Sequence, residues 1–356
     1  MKNRKLLLAL VILVSALVVA GCISNIGKTI DDSTCTPVSA PSPTLTPTPE
    51  PEIEHVDIEL FNIDDEQLVA MIESEKIPIY VTRLFLTSCE SLDYRNYISD
   101  LTPIAGLTNL TALVIDGGEF NDLTPLTNMK NLESLNLHKN QVSDITPLAD
   151  LTSLTRLVLT SSQISDIEPL ANLANLHLLV LNDNQISDIE PLANLTNLTE
   201  LRLYNNQISD ITALAGLTDL TWLGLGRNQI SDLSPLANLA NLTFLRLRGN
   251  HVSDLSPLAN LTNLNSLDLG ENRIRDLVPL SHLANIRSLD LRNNQISDVI
   301  PLVNLTNLAY LFLHYNQISC ISPLSELSST MFIDLTYNPI TDWSPVEHMD
   351  RVRGRS

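Results

Sequence analysis

One phrase, repeated every 22 residues, constrains this chain more than any other feature. From about Leu84 onward the sequence returns to L-T-N-L-T-x-L-x-L-x-x-N-Q-I-S-D-I-x-P-L-A-N, with a fixed period over eleven successive units. A repeat this short cannot bury its own apolar face, so neighbouring repeats must stack on one another as a solenoid. The asparagine before Q-I-S-D, here called the ladder position, falls at residues 140, 184, 206, 228, 250, 272, 294, 316 and 338, with Gly118, Ser162 and Cys89 in three further slots.

The L-x-L segment of each repeat predicts a short strand. Successive side chains of a strand point to opposite faces, so the two leucines face the core and the intervening residue faces outward. A polar residue at the ladder position, among leucines, predicts hydrogen bonds to backbone groups that the tight turn leaves unpaired. The first unit carries about seven extra residues, Glu90 to Asn96, which we expect to bulge out as a loop.

The phrase matches leucine-rich repeats, and the 22-residue form with N-x-I-x-D-I-x-P-L resembles the internalin type over about residues 84–346. The resemblance implies an α/β leucine-rich-repeat solenoid of about twelve repeats. In such proteins a parallel β-sheet lines the concave face, short 3-10 or α helices lie on the convex face, and the asparagines form a ladder. The short basic tail at 347–356 lacks the length for the immunoglobulin-like module that follows in many internalins.

A column of aspartates invites two interpretations. Stacked carboxylates could form a calcium ladder, or each could accept the first free N–H groups of the short helix that Ile-x-Pro-Leu begins. Proline suits that first turn because its missing N–H would be unpaired there in any case. We therefore favour capping. The column occupies residues 100, 122, 144, 166, 188, 210, 232, 254, 276, 298 and 342, with Cys320 as the exception.

The ends of a solenoid expose apolar edges and need covers. Residues 53–83 are expected to form an N-terminal helical cap. Asp64, followed three residues later by Gln67, is typical of a capping box that opens a helix through Glu73. Leu68 and Ile72 share one face of that helix and suit packing on the first repeat.

The first 21 residues are typical of an export signal. Three basic residues precede a 15-residue apolar run, Leu6 to Ala20, which is shorter than the ~20 residues of a membrane-spanning helix. The sequence Val19-Ala20-Gly21-Cys22 resembles the bacterial lipobox, and the resemblance implies that Cys22 is lipidated and becomes the first residue after cleavage. The alternative is an ordinary cleaved signal with a chance cysteine.

Residues 22–52 then form a predicted stalk. The Pro/Thr-rich stretch 36–52 has no apolar periodicity and favours extended polyproline II, which at ~3.1 Å per residue would span about 50 Å. Together with the lipobox, this predicts a protein held at the extracellular face of the cell membrane by a lipid. Which membrane carries it, and its oligomeric state, are left open.

Composition and motif searches exclude several functions. A net charge of −20 argues against a nucleic-acid binder that neutralises phosphates. The seven histidines are scattered, no phosphate loop, H-E-x-x-H or nucleophile elbow occurs, and Cys35, Cys89 and Cys320 lack metal-site spacing. We therefore predict no catalytic residues, no metal and no cofactor. A Cys35–Cys89 disulfide is left open, and the Asn-Leu-Thr triplets are interpreted as by-products of the repeat.

Residues that determine binding must therefore lie at the repeat positions, here called columns, that the fold does not fix. We consider positions six, four, two and one before the ladder residue, the first three of which should face the concave side. Of nine aromatic residues beyond residue 130, eight fall in these columns. The predicted partner-binding residues are Arg202, Tyr204, Trp222, Phe244, Arg246, Arg248, Tyr310, Phe312 and Phe332.

Exposed Trp, Tyr and Arg contribute much of the binding energy of protein interfaces. The competing interpretation is that aromatic residues simply suit strands. Arginine beside aromatic rings on an acidic protein favours a ligand surface. The sequence thus predicts a surface-anchored protein whose concave face recognises an extracellular protein, with a polysaccharide as the second candidate and an enzyme as a third that no residue cluster supports.

Overall fold

The computed structural model describes residues 56–61, 63–87 and 98–355. In these residues a single sheet contains fourteen strands in sequence order, each hydrogen-bonded to the strands before and after it. All neighbouring strands run parallel. The strands are β1 (Asp57–Phe61), β2 (Arg83–Thr87), β3 (Ala112–Ile115), β4 (Ser134–Asn136), β5 (Arg156–Val158), β6 (Leu178–Val180), β7 (Glu200–Arg202), β8 (Trp222–Gly224), β9 (Phe244–Arg246), β10 (Ser266–Asp268), β11 (Ser288–Asp290), β12 (Tyr310–Phe312), β13 (Phe332–Asp334) and β14 (Arg351–Arg353).

From β2 onward, short 3-10 turns return the chain from each strand to the next. They begin where the sequence reads Asp-Ile-x-Pro-Leu, so the proline lies in the first turn of nearly every one. This is the predicted leucine-rich-repeat solenoid. The turns are Thr102–Ile104, Thr124–Leu126, Thr146–Leu148, Glu168–Leu170, Glu190–Leu192, Thr212–Gly216, Ser234–Leu236, Ser256–Leu258, Val278–Leu280, Ile300–Leu302, Ser322–Glu326 and Ser344–Val346.

A continuous core of leucine and isoleucine runs the length of the sheet. In the repeat of β8, for example, Leu223 and Leu225 are fully buried, as are Leu236 and Leu239 from the following turn. Strand register pairs Leu223 with Leu201 and Leu245 of the neighbouring strands. Each repeat therefore buries its apolar side chains against the repeats before and after it, as the period predicted.

Each ladder asparagine joins two repeats through their backbones. Asn228 Nδ2 donates to the carbonyl oxygens of Leu203, 2.9 Å away in the preceding repeat, and Leu225, 3.0 Å away in its own. Its Oδ1 accepts the Ile208 N–H at 3.0 Å. The same pattern recurs with Asn184, Asn250 and their counterparts to Asn338. The predicted ladder is confirmed, and it lies where unpaired backbone groups would be buried.

The ladder is interrupted near its start for a steric reason. At Gly118 an added Cβ would lie 2.8 Å from the Phe120 ring and 2.9 Å from the Ile98 carbonyl oxygen. Phe120 is buried and fills the space that an asparagine would take. At the same place Asn140 Oδ1 has no hydrogen-bond partner. The substitution at 118 is thus coupled to a buried phenylalanine two residues later.

The aspartate column caps the 3-10 turns. Across the described repeats, eleven aspartates accept the backbone N–H two residues further along, at 2.8–3.0 Å. The acceptors are Asp100, Asp122, Asp144, Asp166, Asp188, Asp210, Asp232, Asp254, Asp276, Asp298 and Asp342. Side-chain and backbone hydrogen bonds from Thr124 and Thr212 hold the pKa of Asp122 and of Asp210 below its usual value. The capping interpretation is confirmed.

A second column of asparagines supports the other end of each repeat and was not predicted. Seven side chains donate from Nδ2 to the carbonyl oxygen 23 residues earlier, at 2.8–3.1 Å. They include Asn197 and Asn241 of the Asn-Leu-Thr triplets, so those triplets have a structural role in the repeat. The donors are Asn131, Asn175, Asn197, Asn241, Asn263, Asn285 and Asn307.

The N-terminal cap contains the predicted helix, α1 (Asp65–Glu73). Asp64 Oδ1 accepts the Gln67 N–H at 2.8 Å, and Gln67 Oε1 accepts the Asp64 N–H at 3.2 Å, which confirms the capping box. Leu68 is fully buried and Ile72 packs on the same core. Asp65 accepts the Ser99 N–H at 2.9 Å and so fastens the helix to the first repeat.

Both sheet ends carry a strand that the repeat pattern did not reveal. β1 pairs with β2 inside the predicted cap, and β14 adds Arg351–Arg353 from the basic tail beyond the last ladder asparagine. Several predictions fall outside the described residues: the signal at 1–21, Cys22, the stalk to residue 52, Cys35, Cys89 and the inserted loop of the first repeat.

Replacing a ladder asparagine should destabilise the solenoid strongly. In Asn228→Ala two carbonyl groups and one N–H lose their partner inside the core, and each such group costs about 1–3 kcal/mol. We expect a loss of about 3 kcal/mol or more in the free energy of unfolding. Chemical denaturation measures it, with Gln229→Ala, the exposed neighbour, as the control. Equal effects of the two variants would contradict the role of the ladder.

Candidate recognition surface

The candidate site lies on the outward side of the sheet, here called the sheet face: the side chains six, four and two residues before each ladder position. The residue directly before the ladder has a positive φ in most repeats, for example 52° at Arg227 and 57° at Tyr315, because the chain turns sharply there. That fourth column therefore borders the sheet face, whereas the first three lie on it.

All nine predicted binding residues lie on this face, and each is exposed or half-buried. Phe244 and Tyr310 have 40% and 46% of their surface exposed. These side chains therefore point away from the core, and their role in binding stays a prediction. The nine divide into a central group on β7–β9 and an aromatic group on β12 and β13.

The central group is organised around Trp222. The guanidinium carbon Cζ of Arg202, on β7, lies 4.5 Å from the Trp222 ring centroid, and that of Arg246, on β9, lies 5.5 Å from it. Register places Arg202, Gly224 and Arg246 side by side on three adjacent strands. Two cations thus flank one indole ring, an arrangement that cation–π attraction stabilises.

Two glycines give the central aromatic rings their positions. A Cβ at Gly224 would lie 2.5 Å from Cζ3 and 2.7 Å from Cη2 of Trp222, so the indole lies across this glycine. A Cβ at Gly226 would lie 3.0 Å from Cδ2 of Tyr204. A side chain at Gly224 would displace the indole, and one at Gly226 would require the Tyr204 ring to shift. The two glycines were not among the predicted site residues. Two outward positions without a side chain in the same repeat would have indicated a hollow there.

The result is a hollow of about 260 Å³ on the sheet face. Both aromatic rings, two arginines and the two glycines line it. Asn182 belongs to it as well, and its Oδ1 accepts the Tyr204 N–H at 2.9 Å. The lining residues are Asn182, Arg202, Tyr204, Trp222, Gly224, Gly226 and Arg246.

The arginines of the central group differ in their ion pairs. Arg202 pairs with Glu200 of its own strand, and Arg248 donates from Nε to Glu271 at 3.2 Å. The hydrogen bond from Arg248 holds the pKa of the Glu271 carboxyl below its usual value. Within the described part of the chain, Arg246 forms no ion pair, although Asp268 lies opposite it on β10. Its charge is therefore available to a ligand.

Beyond the hollow, the sheet face becomes acidic. Asp268 and Asp290 lie opposite each other on β10 and β11. Burial, followed by the charge of Asp290, raises the pKa of Asp268 above its usual value, although the Gly270 N–H bonds to its carboxylate. Asp290 pairs with Arg292. A half-buried carboxylate, Asp268, and a buried one, Asp290, thus separate the central group from the aromatic one.

The aromatic group is also bordered by arginines. The rings of Phe312 and Phe332 lie 5.6 Å apart, and Arg351 and Arg353 of β14 lie 5.7 and 5.4 Å from the Phe332 centroid. These two arginines come from the tail that was predicted to be separate from the solenoid. They make the group cationic at its edge.

At the border of the sheet, Tyr315 and Tyr337 stack with centroids 4.2 Å apart and an angle of 8° between the ring planes. Tyr337 has 70% of its surface exposed. Both residues occupy the fourth free column, and neither was among the predicted binding residues.

The described residues offer no comparable site for metal chemistry. The residues that the structure describes contain no group of three or more His, Cys, Asp or Glu side chains placed to hold a metal ion. No helix formed by these residues combines the length and the apolar character required to cross a bilayer.

Comparison with known proteins identifies the family. The Leucine Rich repeats (2 copies) family matches residues 130–172, 174–216, 218–260, 240–282 and 284–326, which together exceed half of the chain. The chain therefore belongs to the leucine-rich-repeat proteins. Its repeats are of the internalin type, since an internalin (inlF) of Listeria monocytogenes is 36% identical with a TM-score of 0.72, over 77% of this chain and 80% of that one.

Two further structures share the fold. A leucine-rich-repeat protein of Leptospira interrogans is 28% identical, with a TM-score of 0.65 over 71% of this chain and 72% of its own. The plant peptide hormone receptor RGFR1, in complex with RGF2, is 23% identical, with a TM-score of 0.64 over 77% of this chain and 48% of its own. Comparison with curated protein sequences finds no match.

The Gly224→Ala variant should rearrange the central group while the fold stays intact. The new Cβ would require the indole of Trp222 to rotate away from the sheet, which we expect to increase its solvent exposure. Tryptophan emission should shift to the red and acrylamide quenching should increase, whereas thermal unfolding should change little because alanine suits a strand better than glycine does.

Gly106→Ala is the matched control, because a Cβ there meets no atom within 4 Å. The only other tryptophan, Trp343, lies in the last repeat and gives a constant background. Unchanged emission in Gly224→Ala would show that the indole does not lie across Gly224.

Proposed function

We propose that this chain is a surface-anchored lipoprotein whose sheet face recognises another protein, as an adhesion or scaffold module. The observation that carries the proposal is the central group, in which Arg202, Trp222 and Arg246 are held outward around a hollow. Solvent-exposed aromatic rings and guanidinium groups are the side chains that dominate binding energy at protein interfaces. An exposed cluster of this kind is otherwise a risk for aggregation.

The family supports a protein partner. Leucine-rich-repeat proteins such as internalins and receptors work in recognition, and the plant receptor above is bound to RGF2. The fold itself favours this use, because the core, ladder and capping residues are fixed by stacking and the outward columns are free to vary.

Alanine at Trp222, Phe244 or Arg246 should weaken partner binding without unfolding the protein. Residues of this kind typically contribute about 2 kcal/mol or more each, which is roughly a thirtyfold change in affinity. The measurement is capture of extracellular proteins from the native environment by immobilised protein, in parallel with a glycan array. A partner retained by the wild type should be lost by all three variants.

Arg156→Ala is the control, since Arg156 is an exposed outward arginine on β5, away from the hollow. Loss of the partner in the control as well, or retention in all variants, would contradict recognition by the central group. Selective binding of the array glycans would favour the polysaccharide alternative.

The lipid anchor is proposed from the sequence, since residues 1–55 lie outside the described part. Cys22→Ala should abolish acylation, because no thiol remains at the lipobox position to carry the diacylglycerol. We expect the wild type to enter the detergent phase in a phase-partition assay and the variant to stay in the aqueous phase, with Cys320→Ala as the control. Partition of the Cys22 variant into detergent would contradict the anchor.

A further inference from the structure

The hollow on the sheet face combines hydrogen-bond donors with positive charge. Arg246 forms no ion pair within the described residues, and Asn182 retains its amide donors because only its Oδ1 bonds to the backbone of Tyr204. Arg202 adds a second guanidinium, part of whose charge Glu200 offsets. The wall of the hollow is aromatic, so a bound group would be partly removed from water.

Asp268 is the acidic group most able to satisfy Arg246, yet it is engaged elsewhere. Its carboxylate accepts the Gly270 N–H at 3.1 Å and lies beside Asp290 and the Arg248 and Arg292 guanidiniums. Arg246 lies instead toward the Trp222 ring. On a protein with a net charge of −20, Arg246 thus places a positive charge without an internal counter-ion beside an open hollow.

We propose that the hollow over Gly224 and Gly226 binds the carboxylate of an aspartate or glutamate side chain on a protein partner. Arg246 would donate to that carboxylate, Arg202 and Asn182 would lie beside it, and the Trp222 ring would contact the methylene groups of the same side chain. Charge-assisted hydrogen bonds from a guanidinium to a carboxylate are among the strongest that proteins make. The inference rests on the proposed function of the sheet face and names the chemistry that it recognises.

Charge along the sheet face favours a protein over an acidic polysaccharide. Arginines on β7 and β9 are followed by carboxylates on β10 and β11 and then by arginines on β14. Neighbouring strands lie about 4.8 Å apart, so a ligand that spans this face meets both signs of charge. A polypeptide can match them with acidic and basic side chains, whereas a polymer of uronic acids would meet Asp268 with like charge.

The test uses a small probe, so that it does not depend on a known partner. The probe is the capped peptide Gly-Glu-Glu-Gly, compared with Gly-Gln-Gln-Gly and with a glucuronic acid disaccharide, and binding is followed by Trp222 emission at low ionic strength. We expect the Glu peptide to bind at least tenfold more tightly than the Gln peptide. Added salt should weaken this binding because exposed charges are screened.

Arg246→Gln should remove the preference for the Glu peptide. Arg287→Gln should leave it unchanged, since Arg287 is an exposed arginine just before β11 with no ion pair in the described residues and the substitution alters net charge equally. Thermal unfolding of both variants verifies the fold. Equal binding of the two peptides, equal loss in both variants, or tighter binding of the disaccharide would each overturn the inference.

These outcomes are separable from the proposed function. If partner capture depends on Phe244 but the Glu peptide shows no preference, the carboxylate site is wrong and recognition by the sheet face stands. If the peptide binds as expected but every sheet-face variant captures the partner as well as the wild type does, the inference stands and the proposed partner surface is wrong.

Discussion

The amide side chain at the ladder position is the interaction on which the rest of the structure depends. Each 22-residue repeat turns sharply after its strand and buries carbonyl and N–H groups that water cannot reach. One asparagine satisfies two carbonyls and one N–H, drawn from its own repeat and the one before. These partners belong to the backbone, so the interaction sets the spacing and register of the strands whatever side chains they carry outward.

Because the ladder contacts only backbone groups, the outward side chains of the sheet are free to vary. The core leucines, ladder asparagines, capping aspartates and supporting asparagines hold the repeats together, and none of them lies on the sheet face. The repeat of β8 can therefore carry glycine at two outward positions and still pair with its neighbours. Much of the acidity is also structural, because eleven of 41 acidic residues cap turns. Local groups of arginine can then set the charge of a site on an acidic protein.

The period predicted most of the fold and the orientation of the candidate residues, because spacing alone decides which side chains face the core. It could not predict β1 and β14, since neither strand carries the 22-residue repeat phrase that predicts the other strands. The sequence pattern also identifies candidate site residues only by the side chains that they carry. The hollow arises where Gly224 and Gly226 lack them, and the indole position follows from contacts between strands that no single repeat encodes.

A photo-crosslinking measurement tests recognition by the sheet face most directly. A benzophenone-bearing phenylalanine analogue is placed at position 244, where the native side chain is 40% exposed on the sheet face, or at position 300, which is 60% exposed in a 3-10 turn. On cells that display the full chain, irradiation should give one discrete protein adduct from position 244 and none from position 300. Adducts from position 300 alone, or the same adducts from both positions, would contradict the account.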